Sequence, residues 1–373
     1  TQGNYIDLGV FAHHRACYES LGGFDETLKR LVDWDLILRY TKKFKPTFID
    51  RIILDYSNVS SSVRPRISTC ECLVTARIAV QKRYTSRPVV STIVPSYNQE
   101  NYIVQTLKSA LAQKGDFIHE VIAADDGSTD ATHRLIAAAK ASNSHIIRDI
   151  STGQNVGISR NFERAIDASL GDYIAILEGD DYWTDEKKLA EQVRFLEENA
   201  DCSMVFSKIN VLNVTSNKMA TLERQDSLRT NKLTGDDFLA HPTLNLIANF
   251  SCCMFRAHLL KRAPKAVFSP RINEISVAFY FEQHGKIGFI ERAMSVYRQH
   301  PQGVRTGKSK KDQLINGLEI RRSALGIAHE RHRAALQRII DEKYLMPLAK
   351  MNEDAPSDAP PGGVLALARS ASH

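Results

Sequence analysis

The chain of 373 residues is 43% hydrophobic and 25% charged, an ordinary globular composition that allows about two domains. Its net charge of +6 is modest, and indicates only compatibility with a phosphate-bearing ligand or an anionic membrane surface. The six cysteines match no zinc spacing and force no disulfide framework, and no apolar run approaches the ~18 residues that span a bilayer, so we expect a cytoplasmic protein.

A regular alternation of strand-like and helix-like segments begins at Val89. Apolar runs predict strands at 89–94, 120–124, 145–150 and 172–177, with helices at 102–112, after the Ser128–Asp130 cluster, and at 158–168. A helix at 189–199 and a strand at 204–206 follow, and then a less regular stretch to about 249. The basic stretch 308–350 is predicted to be helical, and the Pro/Gly/Ala-rich residues from 354 onward to be disordered.

Strands and helices that alternate at this spacing predict an α/β fold with a Rossmann-like, mostly parallel sheet flanked by helices. Ligands bind such sheets beyond the carboxyl ends of their strands. Polar clusters follow three of the predicted strands: Ser96–Glu100, Asp125–Asp130 and Glu178–Asp181. Because packing alone gives no reason to prefer one edge, this coincidence indicates a ligand site.

An internal repeat links the N-terminal segment to the region before His300. One constant shift of 241 positions places Arg15–Ala16 on Arg256–Ala257 and Phe48–Ile49 on Phe289–Ile290, and it sets Asp33 opposite Glu274. We therefore expect the segment to be the C-terminal piece of an earlier copy of the same domain, with its donor-binding half upstream of Thr1. The expected divisions are 1–62 (this fragment), 63–87 (linker), 88–304 (complete domain), 305–350 (helical basic extension) and 351–373 (disordered tail).

Three acids lie within Glu178–Gly179–Asp180–Asp181, directly after a buried strand. This is electrostatically costly unless a cation or hydrogen-bond donors share the site. Mg²⁺ or Mn²⁺ held by carboxylates can act as a Lewis acid on a leaving diphosphate. An isolated acidic cluster is more often a solvated turn, here with Asp185 as the cap of the next helix, but the shared sheet edge favours the metal. Asp125–Asp126 could likewise belong to a capped turn, although two adjacent carboxylates exceed what a cap needs.

Four motifs between residues 88 and 300 together resemble the inverting family 2 glycosyltransferases of the GT-A fold, in the order and spacing of that family. They are Pro95–Ser96–Tyr97–Asn98, Asp125–Asp126–Gly127–Ser128–Thr129–Asp130, Asn155–Val156–Gly157 with Arg160–Asn161, and Glu178–Gly179–Asp180–Asp181–Tyr182–Trp183. The resemblance implies metal-dependent transfer of a sugar from a nucleotide sugar, expected to be UDP-linked, in the assembly of bacterial cell-surface polysaccharide.

The resemblance also implies roles for individual residues. The turn after the first strand and the aspartates after the second hold the uridine in that family, which implies donor binding by Pro95, Ser96, Tyr97, Glu100, Asp125 and Asp126. The later acids correspond to its DXD motif, which implies that Asp180 and Asp181 hold the Mn²⁺ or Mg²⁺ and that Glu178 lies near the ribose. Arg160 would face the donor phosphates or sugar, the alternative being a surface arginine of a helix.

The acceptor base is expected at Glu274. The family places an aspartate about a dozen residues before a Gly-Lys-Ile-like strand and a Tyr-Arg-x-His stretch, here Gly285–Lys286–Ile287 and Tyr297–Arg298–Gln299–His300. Glu274 replaces that aspartate, and a solvated glutamate at a helix start is the alternative. Its counterpart Asp33 should be inert without a donor half. His300 is a weaker candidate for contact with the metal or the diphosphate, because a lone histidine is more often structural.

The resemblance thus implies an inverting, hexosyltransferase-type enzyme whose partners are a nucleotide-sugar donor and a saccharide or lipid-linked acceptor, and not nucleic acid. The basic extension is compatible with peripheral contact at the inner membrane surface or with an ordinary packing helix, and its mixed charges favour packing. Two alternatives stay open. A non-catalytic or degraded glycosyltransferase-like module would explain the partial copy and the presence of Glu instead of Asp both at the base (Glu274) and at the first DXD position (Glu178). A nucleotidyltransferase should carry a Gly-rich phosphate loop after the first strand, where Pro95–Asn98 lies.

Overall fold

The computed structural model describes residues 11–48, 72–226, 228–301 and 309–353. Residues 63–71 of the predicted linker and the predicted disordered segment from 354 onward therefore lie outside the described residues. The described residues before Val89 form three helices: α1 (Arg15–Leu21), α2 (Val32–Lys43) and, within the predicted linker, α3 (Leu73–Tyr84). The buried carboxylate of Asp35 on α2 ties two of them together, because it accepts a hydrogen bond of 2.7 Å from the Tyr84 hydroxyl on α3.

The predicted alternation of strands and helices is confirmed from Val89 onward. The elements in order are β1 (Val89–Ser96), α4 (Ile103–Leu111), β2 (Ile118–Asp125), α5 (Thr132–Ser142), β3 (Ile147–Asp149), α6 (Ile158–Ala168) and β4 (Tyr173–Ile176). Strands β1, β2 and β4 are buried along their whole length, as strands covered by helices on both faces must be. Alternate residues of β1 face opposite layers, since Ile93 packs in one core cluster and Val90 and Val94 pack in the other.

The second half of the domain is less regular in sequence and contains more elements than the apolar runs predict. It comprises β5 (Tyr182–Trp183), α7 (Lys188–Glu198), β6 (Cys202–Asn213), β7 (Lys218–Thr221), β8 (Lys232–Leu233), α8 (Gly235–Ala240), β9 (Cys253–Arg256), α9 (Ala257–Leu260), α10 (Lys265–Phe268), α11 (Glu274–Phe281) and β10 (Lys286–Gln299). Helix α11 is buried over most of its length, which explains why its sequence lacks the polar face of a surface helix.

All of these strands belong to one sheet, with β3-β2-β1-β4-β9-β6-β10-β5 as the main order and with β7 beside β6 and β8 beside β10. The first four strands are parallel, and so are β6 and β10, whereas β9 runs antiparallel between β4 and β6. The carboxyl ends of β1, β2 and β4 meet at one edge, and the polar clusters of the sequence follow those ends. The sheet is therefore parallel where the sequence predicts the ligand site.

The basic extension folds back on the domain. It forms α12 (Lys310–Ile327), α13 (Glu330–Ile340), one turn of π-helix (Asp341–Leu345) and α14 (Met346–Glu353). Leu318, Leu336 and Ile340 of these helices are buried, so their apolar side chains face protein. Among the described helices, none combines the length and the apolar character needed to cross a membrane.

Candidate active site

The three acids after β4 form a tight turn against the end of β1. A Cβ atom on Gly179 would lie 2.7 Å from the Cβ atom of Ser96 and 3.0 Å from the carbonyl oxygen of Pro95. Because real Cβ atoms do not approach so closely, a residue without a side chain is needed between Glu178 and Asp180. The glycine thus lets the acidic turn contact the strand end that carries the first polar cluster.

Each of the three acids has a different environment. Asp181 is fully buried, and its two oxygens accept hydrogen bonds from the Ser251 hydroxyl (2.6 Å) and from the backbone N–H of Arg298 (2.9 Å). Glu178 accepts a hydrogen bond of 2.6 Å from the side-chain amide of Asn249. Asp180 lies 3.1 Å from Nε2 of His300, measured from its Oδ2. Glu178 and Asp180 therefore remain on the accessible side of the turn.

The electrostatics of this cluster suit a divalent cation. One carboxylate oxygen from each of Glu178, Asp180 and Asp181 lies within 4.8 Å of the others. Burial raises the pKa of Glu178 well above its ordinary value, and the negative charges of Asp181, Asp180 and Glu274 raise it further. Burial and the charge of Asp180 likewise raise the pKa of Asp181, against the lowering effect of its Ser251 and Arg298 donors. A cation beside Asp180 would relieve this repulsion, and carboxylate and imidazole ligands are ones that Mn²⁺ accepts.

A cavity of about 650 Å³ joins these acids to the predicted base. Glu178, Asp180, Glu274 and His300 all line it. Glu178 and Glu274 lie 96 positions apart in the sequence. They come together because β9 returns the chain beside β4 before α11 begins. The volume is that of an ordinary small-molecule site.

Glu274 is the first residue of α11. Asn273 precedes it as the helix cap, accepting a hydrogen bond of 2.8 Å from the N–H of Ser276. The Glu274 carboxylate faces the amide of Asn245 at 3.4 Å and is only partly buried. The start of the helix fixes the position of this carboxylate on the cavity wall. A general base needs such a fixed position in order to meet the hydroxyl group of an acceptor.

The predicted donor residues lie at the ends of β1 and β2. Ser96 is 5% exposed, and no atom of the described residues makes a hydrogen bond with its hydroxyl. Asp125 accepts hydrogen bonds from the N–H and the hydroxyl of Ser128, so it also caps the turn that the alternative interpretation described. Both oxygens of Asp126 accept backbone N–H groups at the start of α6, from Val156 (2.8 Å) and Gly157 (3.0 Å).

The remaining predicted donor residues are more exposed or point elsewhere. Pro95 is buried in β1, and its carbonyl accepts the N–H of Gly179. Tyr97 is 45% exposed, and the carboxylate of Glu100 accepts the N–H of Ala131 at 2.9 Å. Arg160 lies on the outer side of α6 and pairs with Glu163 at 3.1 Å, outside the residues that line the cavity.

Sequence reasoning missed four residues of this site: Asn249, Ser251, Arg271 and Arg298. Asn249 and Ser251 lie in the irregular stretch before β9, where no periodicity marks them. The buried Arg298 guanidinium lies over the rings of Tyr102 and Tyr182, 5.0 and 4.4 Å from their centroids, and donates to the Asp180 carbonyl oxygen and to Gln105. The position of Arg298 in the Tyr297–Arg298–Gln299–His300 stretch was the one feature of the sequence that could have identified it.

Comparisons with known proteins agree with this architecture. Residues 91–262, from β1 to just beyond α9, match the family model "Glycosyl transferase family 2". An uncharacterized protein of Mycobacterium tuberculosis is 31% identical over 222 residues, which cover 58% of this chain and 60% of that protein. The chain thus spans less than two thirds of this relative. The Escherichia coli protein WfaP, a UDP-Glc:alpha-D-GlcNAc-diphosphoundecaprenol beta-1,3-glucosyltransferase, is 38% identical over 109 residues, covering 29% of this chain and 41% of that protein.

A solved structure shows the same fold. The S. aureus protein TarS, in complex with UDP-GlcNAc, superposes with a TM-score of 0.52 at 20% identity, covering 69% of this chain and 71% of that one. Glu274 and His300 lie beyond the matched residues 91–262, so the family model bears on the acidic turn and not on the opposite wall of the cavity. Residues 91–262 of the chain are thus similar to glycosyltransferase family 2, and the chain has the GT-A fold.

Proposed function

We propose that this protein transfers a sugar, with inversion, from a nucleotide sugar to a saccharide or lipid-linked acceptor in cell-surface polysaccharide assembly. The observation that carries the proposal is the single cavity that Glu178, Asp180, Glu274 and His300 share. The donor is expected to be UDP-linked, in line with the UDP-Glc named for WfaP and the UDP-GlcNAc bound by TarS. The match of residues 91–262 to the family model, together with Pro95–Asn98 in place of a Gly-rich loop, favours the glycosyltransferase over the nucleotidyltransferase.

Glu274 is the proposed general base. It would accept the proton of the acceptor hydroxyl while the hydroxyl oxygen forms its bond to the anomeric carbon and the bond from that carbon to the diphosphate oxygen breaks. The electron pair of the broken bond leaves with the nucleoside diphosphate. Because attack and departure occur on opposite faces of the sugar, an α-linked donor gives a β-linked product.

Asp180 and His300 are the residues that we propose to hold a divalent cation, which when bound would neutralise charge on the diphosphate. Asp181 was also predicted to be a metal ligand. Its complete burial and its two protein hydrogen bonds favour a positioning role, in which it fixes the Ser251 segment and β10, the strand that carries Arg298 and is followed directly by His300. Ser96, Asp125 and the neighbouring turn residues are proposed to bind the nucleoside, with the unengaged Ser96 hydroxyl as the clearest available partner.

We propose further that the N-terminal segment derives from a second copy of the domain. The 241-residue shift places α2 (Val32–Lys43) on the region of α11, and the buried residues Trp34, Leu36, Ile37 and Tyr40 fall on the buried residues Ile275, Val277, Ala278 and Phe281. Asp33 lies outside the residues that line the described cavity. Peripheral contact with the membrane also stays a proposal, which vesicle sedimentation would test.

The test is donor turnover and binding. Purified protein would be titrated with UDP and GDP in the presence of Mn²⁺ or Mg²⁺, and then assayed for release of nucleotide from a panel of UDP- and GDP-sugars with and without saccharide acceptors. Asp180→Asn should abolish metal-dependent nucleotide binding. Glu274→Gln should keep that binding and lower transfer by about 10²- to 10⁴-fold, the usual contribution of a general base.

Glu186→Gln serves as a matched control, because Glu186 is an exposed acid that pairs with Lys114 outside the cavity. Anomeric NMR of the product would test inversion. If no nucleotide binds with either metal, or if Asp180→Asn and Glu274→Gln behave like the control, the proposed transfer function is wrong. A non-catalytic or degraded glycosyltransferase-like module is then the better interpretation.

A further inference from the structure

The cavity contains a positive charge that the proposed chemistry does not use. Three basic side chains line it: Arg271, Arg298 and His300. His300 faces Asp180, and the Arg298 guanidinium is committed to the Asp180 carbonyl, to Gln105 and to two tyrosine rings. The guanidinium of Arg271 makes no comparable set of interactions with the described residues.

Hydrogen bonds hold the backbone at Arg271 in place, whereas its guanidinium group makes few interactions. The N–H of Ile272, the next residue, donates to Ser159 on α6 (3.0 Å), and the Arg271 carbonyl accepts from the Asn273 amide (3.0 Å). Within the described residues, the guanidinium makes one hydrogen bond, of 3.5 Å to the amide oxygen of Asn316 on α12, and no carboxylate lies within 4.0 Å of it. A partly exposed arginine with a fixed backbone and no counter-ion is suited to binding an anion.

The location of Arg271 indicates which substrate supplies that anion. It lies three residues before Glu274, the proposed base, on the wall formed by the start of α11, by α6 and by α12. The acids that would face the donor diphosphate lie on the turn after β4. Ile158, Ile272 and Ile320 also line the cavity, and an ion pair beside apolar side chains is less screened than one in water.

The internal repeat gives an independent observation. The shift of 241 positions that pairs Asp33 with Glu274 also pairs Arg30 with Arg271, so an arginine precedes the acid by three residues in both copies. In the second copy this spacing places the arginine and the base on one cavity wall.

We propose that Arg271 binds an anionic group of the acceptor, a phosphate or a carboxylate next to the sugar whose hydroxyl Glu274 deprotonates. This inference depends on the proposed function. The guanidinium would form charge-assisted hydrogen bonds to the oxyanion, and the acceptor would be a sugar phosphate, a glycosyl diphosphate or a uronic acid and not a neutral glycan.

The experiment compares three ligands with the same phenoxyundecyl tail: N-acetylglucosaminyl diphosphate, a β-glucuronide and a neutral β-N-acetylglucosaminide. Binding of each would be measured by calorimetry, with and without UDP and Mn²⁺, for the wild type, Arg271→Gln and Arg271→Lys. The wild type should bind at least one anionic ligand about 10- to 100-fold more tightly than the neutral one, as hydrogen bonds to a charged group imply. Arg271→Gln should lose that preference, and Arg271→Lys should keep part of it. The diphosphate and the glucuronide distinguish the two sources of the anion.

Arg322→Gln is the control, because Arg322 is an exposed arginine on α12 that does not line the cavity. Equal binding of charged and neutral ligands by the wild type, or no binding of either anionic ligand, would overturn the inference. So would an Arg271→Gln variant whose UDP affinity falls as far as its anion affinity, because Arg271 would then serve the donor. UDP binding reports separately on the proposed function. If UDP binds and no anion preference is found, this inference alone fails.

Discussion

Ser251 offers a direct test of how the acidic turn is held. Its hydroxyl donates a hydrogen bond of 2.6 Å to Asp181 and accepts one of 3.1 Å from the backbone N–H of Glu178. Both Ser251 and Asp181 are 0% exposed, so water cannot replace the lost hydroxyl without rearrangement. Ser251→Ala removes this hydroxyl and leaves the Asp181 carboxylate with the Arg298 N–H as its one donor named above.

The expected loss is about 1.5–3 kcal/mol of the free energy of unfolding when Asp181 is ionised, the usual contribution of a hydrogen bond to a charged group. At about 2–4 °C per kcal/mol for a domain of this size, the midpoint of thermal unfolding should fall by about 3–12 °C. The loss should depend on pH, because the Ser251 hydroxyl stabilises the ionised carboxylate and lowers its pKa against the raising effect of burial.

Proton linkage gives the direction in which this loss of stability changes with pH. The folded-state pKa of Asp181 is above its unfolded value, so the folded protein binds more protons and its stability falls as the pH rises from about 4 through the folded pKa. Ser251→Ala raises the folded pKa further. The difference in stability between variant and wild type should therefore be small near pH 4, grow as the pH rises, and level off above the folded pKa of the variant.

Thermal unfolding between about pH 5 and pH 8, without divalent metal, would measure this. Ser109→Ala is the control, since the Ser109 hydroxyl bonds to the Thr106 carbonyl and to the Trp183 N–H and touches no carboxylate. A pH-independent loss equal to that of the control would refute the reasoning, because Ser251 would then matter only for packing.

Three further substitutions test the neighbouring contacts. Gly179→Ala should destabilise the fold by about 1–3 kcal/mol and abolish nucleotide binding, because its Cβ would meet Ser96 at 2.7 Å; denaturant unfolding and UDP calorimetry would check this. Trp183→Phe removes the indole donor to the Ser251 carbonyl (2.7 Å) and should cost about 0.5–1.5 kcal/mol, because the Ser295 hydroxyl still donates to that carbonyl (3.0 Å); unchanged stability would contradict this role. Burial lowers the pKa of Lys188 to about 8, so wild-type stability should rise with pH between about 8 and 10, and Lys188→Met should remove that rise in denaturant titrations.

The first half of the fold could be predicted from sequence because each element carries its own local signal. The runs at Val89 and Asp172 are continuous and apolar, and a polar turn ends each one, so strand, helix and sheet edge follow from periodicity alone. The acidic turn could be predicted for the same reason, since its acids adjoin a buried strand. The family resemblance then supplied the roles that periodicity could not.

The second half could not be predicted in the same way, because its contacts join distant residues through irregular backbone. Asn249 and Ser251 lie at a 3-10 turn (Phe250–Cys252), and they contact Glu178 and Asp181 about 70 positions earlier. Their residue types are ordinary for any loop. The donor role of Arg160 stays a prediction: its motif is recognisable from the sequence, and in this structure its side chain pairs with Glu163 on the surface of α6.

The proposed second copy illustrates why an acid at the position of the base would not make a site by itself. In the complete domain, Glu274 begins α11 on the cavity wall opposite the β4 turn, and the residue two positions later is the small, buried Ser276. The corresponding residue of the N-terminal copy is Asp35, whose buried carboxylate binds Arg39 (2.7 Å) and Tyr84 (2.7 Å). That carboxylate fastens α2 to α3. The elements described before β1 are the helices α1, α2 and α3, and none of them supplies an acidic turn at a strand end for Asp33. We propose that the N-terminal segment serves as packing for the domain that follows, and that Glu274, not Asp33, is the general base.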